Sequence, residues 1–139
     1  MSTDFFFLLS KPHKFQNRKA QGVFDVLRQH TDSENRQPSE KFIRTPSRRT
    51  EPDYYKQVKS PIDLTRIQQK LKTEEYLTFE EFCRDVELLM ENTRMYYKEE
   101  TEEHKAATEL YELYKVIKDK VAKGEPIEDP TMDDNPSSS

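Results

Sequence analysis

Glu51-Pro52-Asp53-Tyr54-Tyr55-Lys56-Gln57-Val58-Lys59-Ser60-Pro61-Ile62-Asp63-Leu64 sets two prolines around a pair of tyrosines, just ahead of an apolar helical pattern. Each proline fixes its own φ and pushes the residue before it out of the α region. The spacing therefore predicts an ordered loop with at most one short turn of helix inside it. Tyr54 and Tyr55 are too large and apolar to be left entirely in water, yet their hydroxyls need partners. That combination suits the wall of a partly wet pocket.

On both sides of this stretch the apolar spacing is helical. Ala20, Val23, Phe24 and Leu27 follow the i, i+3, i+4, i+7 rule and predict a helix over about 17–30. Leu64, Ile67 and Leu71 predict a second, shorter helix, with Asp63 as its N-cap and Lys70 and Lys72 at its negative end. Thr78 followed by Glu81 is a capping-box pattern. It opens a third helix with Phe79, Phe82, Cys83, Val86, Leu89, Met90 and Thr93 along one stripe, ending near Tyr96. Thr101, with Glu102 and Glu103 behind it, predicts the start of a fourth, whose Ala106, Leu110, Leu113 or Tyr114, Ile117 and Val121 turn inward. Four such amphipathic helices bury their stripes only against one another, so the expected fold is all-α, a left-handed four-helix bundle.

The bundle has one long connection, about residues 31–62, and two short ones. A structureless link of that length is far above the usual few residues, and such loops are either functional or disordered. Phe42, Ile43, Tyr54, Tyr55 and Val58 supply apolar surface to dock it. The expected organisation is a leader over 1–16, one domain over 17–123, and an acidic tail without fixed structure over 124–139. Phe5 to Leu9 is apolar, but the run is too short for a membrane span and no basic region precedes it.

Composition narrows the function. Lys plus Arg count 23 against 27 Asp plus Glu, a net charge of −4, so no global basic field drives non-specific nucleic-acid binding. The single cysteine, Cys83, forms no internal disulfide and no cysteine-based zinc site, which fits a reducing compartment. With Gly22 and Gly124 as the only glycines there is no phosphate-cradling loop and no nucleophile elbow. His13, His30 and His104 lie far apart, and the Glu-x-x-His pair of di-iron bundles is missing. The sequence thus predicts neither an enzyme nor a resident metal or cofactor.

The order of these elements over about residues 17–123 resembles that of a bromodomain. The resemblance is strongest to polybromo-type modules of chromatin-remodelling complexes, particularly the first of such arrays. It runs through Lys41-Phe42-Ile43-Arg44-Thr45-Pro46-Ser47-Arg48, Pro52-Asp53-Tyr54-Tyr55, Pro61-Ile62-Asp63-Leu64, Ile67-Gln68-Gln69-Lys70-Leu71-Lys72 and Tyr96-Tyr97-Lys98. It implies a nuclear reader module, monomeric and away from membranes, that binds acetylated histone tails and works beside other remodelling subunits. The long first loop and the loop between the third and fourth helices would form an acetyl-lysine pocket at one end of the bundle.

Acetylation removes the lysine charge and leaves an apolar stem ending in an amide, so a reader needs a narrow apolar slot with a donor for the acetyl carbonyl. The resemblance assigns Phe42 and Val58, with Ile43 beside them, to the slot, and Tyr54 to a water bridging to the acetyl oxygen. Tyr96 either packs beneath the pocket or lines it. Tyr97 stands where most bromodomains carry the asparagine that bonds the acetyl carbonyl, so weak or selective binding is implied. The family's Trp-Pro-Phe shelf reads Glu40-Lys41-Phe42, and Glu103, or His104 in another register, falls at the gatekeeper position. Arg44, Arg48 and Arg49 make the long loop locally basic, a candidate contact for DNA or RNA, and phosphorylation of Ser47 or Thr50 beside them would switch its charge. Two alternatives stand beside the acetyl-lysine reader: a protein–protein scaffold without acetyl recognition, and a nucleic-acid contact through the basic loop.

Overall fold

The computed structural model describes residues 17–132, whose regular structure is all helical, without a strand. Helix α1 covers 17–29, α2 Pro52–Gln57, α3 Leu64–Lys72, α4 Phe79–Tyr96 and α5 Glu102–Ala122. Two 3₁₀ helices, Pro38–Phe42 and Pro130–Met132, complete the described elements. The four long helices form the bundle that the apolar stripes predict. Val23, Ile67, Phe82, Ala107 and Ile117 are fully buried at its centre. Leu113 and Tyr114 are both buried, and Ala107 rather than Ala106 is the fully buried alanine of α5.

The helix ends follow local chemistry. Asp63 caps α3 by accepting from the Arg66 N–H at 2.8 Å, and Thr101 caps α5 by accepting from the His104 N–H at 3.1 Å. Thr78 accepts from the Glu81 N–H at 3.2 Å, while the Glu81 carboxylate reaches back to the Leu77 N–H at 2.8 Å, one residue beyond the usual capping box. Side chains then lock neighbours together. Asp85 on α4 holds Lys70 of α3 at 2.8 Å and accepts from the Tyr76 hydroxyl. Tyr114 of α5 donates to Glu87 of α4 at 2.6 Å.

The long connection is more structured than the sequence suggests. It carries the 3₁₀ helix Pro38–Phe42 and then α2, whose six residues exceed the single short turn expected. Proline at the first helical position explains both starts, since its fixed φ is already helical and its missing N–H is an orphan there in any case. The connection is stitched to the bundle along its length. Gln37 and Ser39 donate to the Arg28 carbonyl at the end of α1, and Ile43 O accepts from the Thr65 N–H and hydroxyl. Asp63 also accepts from the Thr45 N–H at 3.0 Å, and Asn92 of α4 donates to the Ser60 carbonyl at 2.9 Å.

Beyond residue 123 the described chain, 124–132, returns along the bundle. Gly124, with φ of 74°, reverses the chain after α5, and the Glu125 N–H closes the turn on the Lys120 carbonyl. Ile127 then packs against α1 at Gly22, which has no side chain to obstruct it. Asp129 ends the segment on His30. That histidine is 4% exposed and lies 2.7 Å from Asp129 through Nδ1 and 2.7 Å from Glu109 of α5 through Nε2. The leader over 1–16 and the rest of the tail lie outside the described residues.

Candidate functional site

A cavity of about 240 Å³ opens where the long connection meets the α4–α5 turn. Phe42, Ile62 and Leu89 supply its apolar lining, and Tyr54, Thr93 and Tyr97 add hydroxyls. Lys41, Arg44, Glu51, Asp63 and Glu103 contribute charge, and Thr45, Pro46, Ser47 and Thr50 complete the wall. Each part is positioned by the fold just described. Phe42 ends a 3₁₀ turn, Tyr54 is held by α2, Leu89 and Thr93 lie on the buried stripe of α4, and Tyr97 is its C-cap.

The four tyrosines form a chain of edge contacts. Tyr54 meets Tyr55 at 5.3 Å and Tyr96 at 4.9 Å, and Tyr96 meets Tyr97 at 4.9 Å, all close to perpendicular. Tyr96 donates its hydroxyl to Glu51 at 2.8 Å, which fixes the middle of the chain. Tyr55 donates to the Pro46 carbonyl, and the Arg48 guanidinium lies 4.1 Å above its ring. The Tyr54 and Tyr97 hydroxyls have no partner among the described residues. Burial first, then the charges of Tyr55 and Asp63, pushes Tyr54 up to about 12. Burial followed by the Glu51 and Glu103 charges raises Tyr97. Both phenols therefore stay protonated at physiological pH, so each offers a donor to the cavity.

Of the residues expected at the acetyl-lysine site, Phe42, Tyr54, Tyr97 and Glu103 line the cavity, and Ile43, Val58, Tyr96 and His104 are not in its lining. Val58, at the C-terminal end of α2, is 2% exposed and is not among the residues that line the cavity. Ile43 packs on the core, and its carbonyl is committed to Thr65. Tyr96 does not line the hollow but backs Tyr54 and Tyr97 from behind. His104 is likewise outside, one position beyond the Glu103 side chain that reaches the rim. Of the arginines, Arg44 lines the cavity, Arg48 stacks on Tyr55, and Arg49 is exposed.

Sequence reasoning missed Glu51, Ile62, Asp63, Leu89 and Thr93 among others of the lining. Leu89 and Thr93 stand eight and four residues before Tyr97, a helical spacing that puts all three on one side of α4. That signal was available. The Glu51–Tyr96 bond joins residues 45 apart and has no counterpart in any local pattern. Among the described residues no cluster of His, Cys, Asp or Glu has the makings of a metal site, and no helix is long and apolar enough to cross a membrane. Cys83 lies buried in the stripe of α4, where desolvation raises its thiol.

Comparison with known proteins places this arrangement. Residues 26–109 match the family model of the bromodomain, and the chain belongs to that family. It is 36% identical over 95 residues to histone acetyltransferase GCN5 of Yarrowia lipolytica, covering 67% of this chain and 20% of that protein. It is 34% identical over 76 residues to chromatin structure-remodeling complex subunit rsc4 of Schizosaccharomyces pombe, covering 55% of this chain and 14% of that one. Among solved structures, the bromodomain from human BAZ1A superposes with a TM-score of 0.65 at 32% identity, over 75% of this chain and 91% of the other. The chain spans a fifth or less of the length of these curated relatives.

Proposed function

We propose that this chain is an acetyl-lysine reader of the atypical, polybromo kind, working in the nucleus on acetylated histone tails within a chromatin-remodelling assembly. The observation that carries the reading is the cavity with Phe42, Ile62 and Leu89 on its apolar side and two hydroxyls in its wall, Tyr54 and Tyr97, that have no partner among the described residues. An acetylated lysine is a neutral stem with one strong acceptor at its tip, and such a slot satisfies both halves. In this reading Tyr97 donates to the acetyl oxygen in the place of the family's asparagine, and Tyr54 holds a bridging water. A phenol offers one donor where an amide offers two, so binding is weaker than with asparagine. Glu103 at the rim, with no ion-pair partner among the described residues, favours ligands with a basic neighbour.

The reading is tested by titrating the chain with a histone-tail peptide in acetylated and unmodified forms and following amide and side-chain NMR shifts. Acetylation-dependent movement of Tyr54, Tyr97 and Phe42 is expected. Equal shifts with both peptides, or none, would leave a scaffold without acetyl recognition. A response to DNA or RNA centred on Arg44, Arg48 and Arg49, falling steeply with salt, would transfer the function to the basic loop.

A further inference from the structure

Ser47 is exposed and stands at the start of the turn over 48–50. Arg44 stands three residues before it and Arg48 and Arg49 directly after it. Among the described residues its hydroxyl makes a single bond, accepting from the Arg49 N–H at 3.0 Å, and its carbonyl accepts from the Glu51 N–H at 2.8 Å. Ser47 also lines the same cavity as Arg44, Glu51, Tyr97 and Glu103. An exposed hydroxyl in an arginine-flanked loop is what a protein kinase with an acidic substrate groove selects.

We propose that Ser47 is a phosphorylation site for an arginine-directed protein kinase, and that phosphate there tunes the adjoining cavity toward acetylated peptides with basic flanks. The step is a transfer from ATP: the Ser47 Oγ attacks the γ-phosphorus, the bond to the ADP oxygen breaks, and the hydroxyl proton passes to the kinase's base. The product carries a charge of about −2 beside Arg44. Unmodified, Arg44 and Lys41 repel a basic peptide at this rim and oppose the attraction of Glu51 and Glu103. The phosphate neutralises the arginine side of that balance. The tuning part of the proposal rests on the acetyl-lysine reading, whereas the modification itself does not.

The full chain is incubated with an arginine-directed kinase and ATP, and the phosphate is located by mass spectrometry. Incorporation at Ser47, absent in Ser47→Ala and slowed in Arg44→Ala, is expected. Incorporation only elsewhere, Thr50 included, or none at all, overturns the site. The phosphorylated and unmodified chains are then titrated with one acetylated, lysine-flanked peptide. Phosphorylation is expected to tighten binding about two- to fivefold at low salt, with the difference fading at high salt. Equal affinities overturn the tuning. Failure of both forms to bind refutes the acetyl-lysine reading and the tuning together, while the mass-spectrometric result still decides the site.

Discussion

His30 and the Tyr54–Tyr97 pair belong to the same bundle but treat their polar atoms in opposite ways. Both ring nitrogens of His30 are saturated at 2.7 Å, and the partners come from α5 and the returning C-terminal segment. The Tyr54 and Tyr97 hydroxyls are left without partners among the described residues, although their rings are locked edge to face. A satisfied buried group holds elements together, and a rigid group left unsatisfied is available to something else. The first arrangement is structural, and the second has the form of a binding site.

The largest effect should come from cutting the His30 clamp. His30→Ala leaves the Asp129 carboxylate, 8% exposed, without its cationic partner, and should lower stability by about 2 kcal/mol in denaturant melts. An unchanged midpoint would show that the clamp holds nothing. Next, Tyr97→Asn should restore the family's amide and tighten acetyl-lysine binding about fivefold, measured by calorimetry. Unchanged or weaker binding would deny Tyr97 its donor role.

The clamp also predicts a pH dependence. Burial works against charge on His30, but the hydrogen bonds and charges of Glu109 and Asp129 outweigh it and raise the histidine above its ordinary 6.5. A charged ring donates from both nitrogens, as the two carboxylates require. A raised histidine stabilises fully below 6.5, and that contribution is lost as pH rises through the higher folded value. Asp129 is lowered from 3.8 despite its burial, through Thr131 and His30, so its contribution disappears only under more acidic conditions. Tm should therefore fall as pH rises above 6.5 in the native chain, and fall less in His30→Gln. Parallel profiles would contradict the assignment.

The smallest effect concerns Gly22. Alanine there places a Cβ 3.3 Å from the Ile127 side-chain tip. The helix should gain about 0.5 kcal/mol, while hydrogen exchange over 125–132 quickens as Ile127 gives way. Unaltered exchange would mean that Ile127 does not anchor the segment.

The helices were legible in the sequence because each is specified locally. The stripe from Phe79 to Thr93 and the caps Asp63, Thr78 and Thr101 need no distant partner to be recognised. The returning segment was not legible. Pro126, Glu128 and Asp129 read as a solvated acidic tail, and only Gly124, a C-cap signal, hinted at the reversal. The candidate site was readable in part. Family resemblance pointed to Phe42, Tyr54, Tyr97 and Glu103, which line the cavity, and also to Val58, which is buried outside its lining. Whether a buried side chain borders a hollow or fills one depends on tertiary spacing that no local pattern carries.

Removing one oxygen atom tests the reading most directly. Tyr97→Phe keeps the ring and its edge contact with Tyr96 but deletes the donor that the acetyl carbonyl would use. Calorimetric titration with an acetylated histone-tail peptide should show affinity about fivefold weaker than for the native chain, with binding of the unmodified peptide unaffected. Equal affinity of the two proteins for the acetylated peptide would contradict it.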